Sequence, residues 1–437
     1  MSGLLALGDN HRGTRENVAA YDESKRFRLH NHLFDREPSE AIKPYLERAG
    51  FGHVAKINFR SVDSKLVIAM LERWRPETHT FHLPTGECTI TLEDINMLFG
   101  LRIDGRAVVG ETEGPDYACI DALGIEPFSD RVKGAVKLRW IHDELIELEQ
   151  HSQQTEEENI LHAKLYILSM IAVLFPDKSH NVLHSSWFKF VKDFDECGKY
   201  SWGSACLAYL YREMCKACRV GCMSVAGCSL LLAVWAYYRI PRLAPRSEIA
   251  PSYPYATRFA QRGLEYFSSP NAYLDGYRFI LDHMVQGDFL WRPYEKYPRG
   301  TQREARAWSA TTYIICFHIV EMHHADRVRL QFGFTQNIPQ PPRCLRDHHT
   351  ITKNDVKDCA YRDLNIHENN KWKDRRNLIM TGEVSTTLRH TDEYMQWLRN
   401  IPLIYLSKET YLADPRHYAS ASSTPHTTFH QEIPQSF

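Results

Sequence analysis

The 437-residue chain has almost no excess charge of either sign: 53 Lys and Arg stand against 54 Asp and Glu, for a formal net charge of −1. A chain so balanced exerts no global pull on nucleic acid or on an anionic membrane, so a site for either has to be a local patch. Long hydrophobic runs are also missing. The longest, VAGCSLLLAVWAYY from Val225 to Tyr238, falls short of the about 20 apolar residues that a membrane-spanning helix needs, and reads as a buried core helix. Met1 to Asp9 holds a short apolar run with no basic segment before it, which is not the pattern of a secretory leader. The 11 cysteines, an odd number, are therefore expected to stay reduced and to pack as small hydrophobes. Nucleotide-binding glycine patterns (GxGxxG, GxxxxGK[ST]), the GxSxG elbow and HExxH are absent, as are internal repeats and heptads.

What is present is the composition of a globular protein, with 43% hydrophobic and 24% charged residues. Aromatics reach 12%, including nine Trp and 22 Tyr, so the core can be built on large rings. The length suits one large core or two packed sub-domains.

Residues 1–37 are polar and weakly periodic, and read as a loose N-terminal extension. A helix follows Pro38, with Ile42, Tyr45, Leu46 and Ala49 at helical spacing and Gly50 as its stop. A second covers Val62–Trp74 and ends before Pro76. The segment THTFHLP then alternates, Thr85-Gly86 turns the chain and ECTIT runs back, which predicts a small β-hairpin. Thr91 with Asp94 three residues on forms a capping-box pattern for the next helix, which Gly100 ends. Further helices are predicted over Val132–Glu149, Glu156–Phe175, Trp187–Phe194, Trp202–Cys218, Val225–Tyr238, Ala272–Met284, Ser309–Met322 and Thr391–Leu398. Between Pro241 and Pro270 lies a Pro-rich aromatic connector, and residues 406–437 read as a disordered polar tail. The expected class is mainly α: a multi-helix globular domain with a small N-terminal β-hairpin.

LERWRPETHTFHLPTGECTITLEDINMLFGLRIDGRAV, from Leu71 to Val108, resembles the signature segment of the plant mobile domain. Five later segments resemble the family in the same order: CLAYLYREMC (Cys206–Cys215), LLLAVWAYYRIPRLAPR (Leu230–Arg246), FLWRPY (Phe289–Tyr294), HHADRVRLQFGFTQNIPQPP (His323–Pro342) and YMQWLRN (Tyr394–Asn400). The resemblance covers residues 38–405. It implies a Maintenance of Meristems-like protein of the nucleus, active in silencing, genome integrity and meristem upkeep beside a phosphatase-seven-like partner. Copies of the domain inside transposable elements imply the alternative of a nucleic-acid-binding protein. Phosphatase motifs of the GDxHG, GDxVDRG and GNHE kind do not occur in the 437 residues, so no two-metal phosphatase chemistry is expected here. The family is also described as aminotransferase-like. A pyridoxal enzyme needs a Schiff-base Lys beside a phosphate cradle, and no Gly-rich loop adjoins a candidate Lys. The expectation is a non-enzyme without cofactor.

Arg73, Trp74, Arg75, Pro76, Glu77, His79, His82, Gly86 and Glu87 crowd polar groups into the hairpin region. They read either as a polar surface for a partner or nucleic acid, or as a structural brace. In the brace, Arg73 and Arg75 pair with Glu77 or Glu87 above a buried Trp74. Lys371, Lys373, Arg375 and Arg376 surround Trp372 as a basic patch suited to nuclear import or to phosphate. Cys215, Cys218, Cys222 and Cys228 include one ligand-like CxxC but no second pair, and the doublets His323-His324 and His348-His349 point apart on a helix. Both read as packing features, with no metal site. Metal analysis of the purified protein is expected to return no bound zinc; stoichiometric zinc would overturn the reading of these cysteines as buried thiols.

Overall fold

Residues 7–30, 34–60, 62–110, 118–127, 131–132, 134–151, 153–176, 178, 181–260, 273–297, 307–342, 351 and 365–401 are described by the structure, a computed structural model of the chain. The helices in chain order are α1 (Arg15–Ala19), α2 (Lys43–Arg48), α3 (Ser64–Leu71), α4 (Leu92–Phe99), α5 (Ala118–Leu123), α6 (Leu138–Gln150), α7 (Glu156–Leu174), α8 (Phe194–Cys197), α9 (Trp202–Ala217), α10 (Ser229–Arg239), α11 (Leu274–Asp282), α12 (Ile366–Lys373) and α13 (Asp392–Arg399). Strands are short: β1 (Arg28–Leu29), β2 (Trp74–Arg75), β3 (Thr80–Leu83), β4 (Gly86–Cys88), β5 (Arg131–Val132), β6 (Ala135–Lys137), β7 (Val182–His184), β8 (Ser224–Val225), β9 (Thr312–Cys316) and β10 (Ile319–His323). The architecture is mainly α.

Several helices start where a side chain holds their first amides. Thr155 and Glu158 form a reciprocal capping box on α7, and Thr91 with Asp94 does the same on α4. Helices α9 and α10 are apolar nearly all round and lie buried along almost their whole length, as helices at the centre of a core do. Helix α9 packs against β9, β10 and α4; α10 packs on α4 and α3; and α11 closes over α3. The amphipathic α6 lies outside, on α7.

Strands β2, β3 and β4 make one antiparallel sheet, with Trp74 opposite Phe81 and Phe81 opposite Cys88. The paired β3 and β4 are thus two strands of a three-stranded sheet. The third strand is taken from the end of the expected Val62–Trp74 helix, which stops at Leu71. At the turn, Gly86 has φ +138° and a Cβ there would collide with the His390 ring, so only glycine fits.

Other expectations change too. The expected Val132–Glu149 helix starts only at Leu138, behind β5 and β6, and Val225 of the expected Val225–Tyr238 helix belongs to β8. Ser309–Met322 is no helix: β9 and β10 pair from Thr312↔His323 to Cys316↔Ile319. Thr312, Ile314, Ile315, Ile319 and Val320 are β-branched and favour the pleated form, while Phe317 takes the turn at φ +54°. Trp187–Phe194 is split into a 3-10 turn (Ser185–Val191) and α8. The N-terminal residues expected to be loose are packed. His11 and Arg12 are buried, β1 pairs parallel with β8, and Arg12 donates to the Ala217 carbonyl at 3.2 Å. Burying Phe27 and Phe34 supplies the apolar area that the polar composition of the segment concealed. The tail 406–437 and His348-His349 lie outside the described residues.

Asp94 is the junction of this architecture. Its Oδ2 accepts from the Thr91 amide at 2.8 Å and from the Thr91 hydroxyl at 2.7 Å. Its Oδ1 accepts from Arg239 Nε and Nη2 at 3.1 and 2.6 Å, and from the Tyr294 hydroxyl at 2.9 Å. One fully buried carboxylate therefore ties α4 to α10 and to the Phe289–Tyr294 segment. Asp94→Ala leaves a buried guanidinium unpaired and is expected to cost about 3–5 kcal/mol, read as a fall in the urea midpoint. A drop of only a few tenths of a kcal/mol, the scale of an exposed pair, would contradict the junction role.

A candidate site with its charges turned inward

The polar residues of the hairpin region do come together, but inside the protein. Arg73, Trp74, Arg75, His79, His82, Gly86 and Glu87 are all buried, while Pro76 and Glu77 are partly exposed. The buried members face protein and brace the interior. Glu77 is the opposite charge acting on Arg75, as expected, but the partner of Arg73 is not a nearby glutamate. Arg73 pairs with Asp282 of α11, and also donates to the Ala69 carbonyl at 2.9 Å. Glu72 takes Arg278 of α11 in a two-pronged pair at 2.6 and 3.0 Å. Glu87 receives Arg327 at 2.8 Å, with His82 Nε2 at the same distance from Oε1. Glu321 of β10 joins Arg212 of α9 to His79, whose Nε2 is 2.9 Å away.

Hydrogen-bond valence sets the charge of each buried imidazole. His11 Nε2 donates to the Trp74 carbonyl at 2.7 Å while Nδ1 accepts from the Gly13 amide at 2.9 Å, the pattern of a neutral ring. Burial and the neighbouring Arg75 lower its pKa to about 3. His323 donates to the Ala310 carbonyl at 2.8 Å and accepts from the Leu92 amide at 3.3 Å. It too is neutral, lowered by burial to about 4. His79 is the opposite case. Its Nδ1 faces the Met322 carbonyl at 2.9 Å and its Nε2 faces Glu321, so both nitrogens need protons. Burial alone would lower its pKa; Cys215 and Glu321 outweigh burial and raise it to about 10. His79 also sits at φ +52°, a conformation that a non-glycine residue keeps only when its surroundings hold it. Burial works against ionisation of Glu87, but Arg327 and His82 hold it down at about 2.

The cysteines disperse into separate contacts. Cys215 Sγ receives the Trp74 indole N–H at 3.2 Å, Cys218 Sγ lies 3.3 Å from the Cys215 carbonyl, and Cys222 Sγ lies 3.2 Å from the Ser224 carbonyl. Burial pushes the Cys218 thiol up to about 12. Among the described residues no group of three His, Cys, Asp or Glu is arranged to hold a metal, and no helix is long and apolar enough to cross a membrane.

The basic patch is divided. Lys373 and Arg376 are exposed, Lys371 is partly exposed, and Arg375 is buried. Arg375 and Arg376 both close on Asp104, and the Arg375 guanidinium lies over the Trp372 ring, 4.3 Å from its centroid. Asp104 had no signal in the sequence, because it lies about 270 residues from the arginines it serves.

The sequence profile of the plant mobile domain matches residues 50–399. The serine/threonine-protein phosphatase 7 long form homolog of Arabidopsis thaliana is 33% identical over 80% of this chain and 28% of its own length. Protein MAIN-LIKE 2 of the same plant is 34% identical over 74% of the chain and 50% of its own length. The plant's protein MAINTENANCE OF MERISTEMS is 29% identical, over 84% of the chain and 76% of its own length. The chain thus spans half or less of the first two relatives. No solved structure matches it.

The titrations make opposed demands on stability. His11, His323 and His390, the last lowered by burial to about 4, take up protons in the unfolded chain near 6.5 and not in the fold. Stability is lost as pH falls from 6.5 toward 4, and Glu87 adds a loss between 4.5 and about 2. His79 contributes stability that is complete below 6.5 and lost as pH rises toward about 10. Thermal melting across pH 4–10 is expected to peak at about pH 7. A midpoint that climbs steadily toward acid would contradict the neutral imidazoles.

Proposed function

The chain belongs to the plant mobile domain family, and from that premise we propose that it is a non-catalytic nuclear interaction module. It acts with a phosphatase-seven-like partner in transcriptional silencing, genome integrity and meristem maintenance. One observation carries the non-catalytic reading. The ionisable side chains around Glu72, Arg73, His79, Glu87 and Glu321 lie in the interior, each closed on a buried partner. A catalytic group has to reach its substrate within hydrogen-bond distance, and these groups meet protein on every side. Perturbed acidities of this kind arise in structural ion-pair networks as well as in active sites. The names of the relatives support the phosphatase and meristem parts of the reading: one is called a phosphatase long form homolog and another is named for the maintenance of meristems.

Affinity purification of the tagged chain from plant nuclei, followed by mass spectrometry, is expected to recover a phosphatase-seven-like protein. Recovery without any phosphatase-like protein would overturn the partnership. Retention on nuclease-sensitive material alone would favour the transposon-derived nucleic-acid reading instead.

A further inference from the structure

A half-open cleft of about 730 Å³ lies between residues 102–110, the Lys189 and Lys199–Tyr200 region, and the end of α12. Among the described residues seven cationic side chains line it against a single carboxylate, Asp104. They arrive from segments far apart in sequence: Arg102 and Arg106, Lys189 and Lys199, then Lys373, Arg375 and Arg376. Backbone pairing fixes the floor, since Arg106 N–H donates to the Lys199 carbonyl at 2.9 Å and Ser201 N–H to the Arg106 carbonyl at 2.8 Å. The Trp372 indole anchors α12 to the Gly105 carbonyl at 2.9 Å. Gly110 leaves room for the Lys189 amine, which a Cβ at that position would strike. Asp104 is committed to Arg375 and Arg376, and Glu196 on the rim pairs with Arg106 at 2.9 Å and with Lys199.

We propose that this cleft binds a compact ligand carrying two or more adjacent phosphate groups. Cations gathered this closely repel one another, and a small multivalent anion offsets that repulsion at a stroke. Guanidinium and ammonium groups are the side chains that bind phosphate oxygens. The volume falls within the range of small-molecule pockets. A single-strand groove, by contrast, extends its cations along a track interleaved with stacking rings; here the charges converge, and Tyr200, the one aromatic side chain among the described residues that line the cleft, is already packed edge-on against Phe190 at 4.9 Å. The inference stands apart from the phosphatase partnership, because it concerns a different set of residues.

Isothermal titration calorimetry of the full chain tests it, with sodium tripolyphosphate, ATP, inositol hexakisphosphate and a 12-nucleotide single strand as titrants. Tripolyphosphate is expected to bind one to one with Kd below about 100 µM at low salt. Lys373→Glu and Lys189→Ala, both at exposed side chains, are each expected to weaken it about tenfold or more. Lys25→Glu, exposed and outside the cleft, leaves it unchanged. Tighter binding of ATP or of the inositol phosphate identifies the carrier of the phosphates and supports the proposal. Absence of tripolyphosphate binding, or binding indifferent to both cleft variants, overturns it. So does an oligonucleotide that binds more tightly than tripolyphosphate through the same lysines, since the cleft is then a nucleic-acid groove.

Discussion

Among the described residues eight arginines are buried, and six of them close on carboxylates that are themselves buried. Removing such ions from water is expensive, by several kcal/mol each after relaxation, and pairing recovers that loss only when the geometry is correct. Pairs of this kind contribute little net stability and a great deal of selectivity. A misplaced helix leaves a charge stranded in the interior, whereas a misplaced leucine merely finds another apolar neighbour. The arrangement of α9, α10 and α11 around the small sheet is thereby held to one solution.

The family-like segments meet in the same interior. Each later one delivers a polar group to the first, Leu71–Val108. Tyr211 reaches the Thr89 hydroxyl at 2.9 Å, Arg239 and Tyr294 reach Asp94, and Arg327 reaches Glu87. Gln331 brackets the Thr89 backbone with two bonds of 2.8 Å, and the Tyr394 hydroxyl accepts the Glu87 amide N–H at 3.1 Å. The stacking of Phe81 on Trp235 at 5.1 Å adds the apolar counterpart. What reads in the sequence as separate motifs is, in space, one polar lattice with the hairpin at its centre.

Features decided by neighbours in sequence were legible. The Thr91–Asp94 cap, the Thr85-Gly86 turn and the long helices α7 and α9 depend on spacings of two to four residues, and they stand where those spacings place them, while α10 starts at Ser229, four residues later than expected, because Val225 pairs in β8. The second role of Asp94, as partner of Arg239, was invisible because 145 residues intervene. Arg73 and Arg75 were matched to nearby glutamates for the same reason, while Arg73 in fact answers to Asp282, 209 residues on. The β9–β10 hairpin was hidden by a short apolar run whose periodicity suits either helix or strand, and the β-branched content was the signal that decided it. Of the cleft around Asp104 only the cluster at Lys373, Arg375 and Arg376 was legible, since the other cations and Asp104 itself join it only after folding.

These long separations also bear on synthesis. Emerging from the ribosome, the sheet around Glu87 appears some 240 residues before Arg327 and some 300 before Tyr394. Until then its carboxylates have no interior to enter, and the nascent half-domain must wait, hydrated and open, in the manner of chains dominated by distant contacts. A gene copy cut short upstream of Arg327 therefore yields a protein that cannot complete its centre. It becomes a client for chaperones and proteases, instead of a shortened version of the whole.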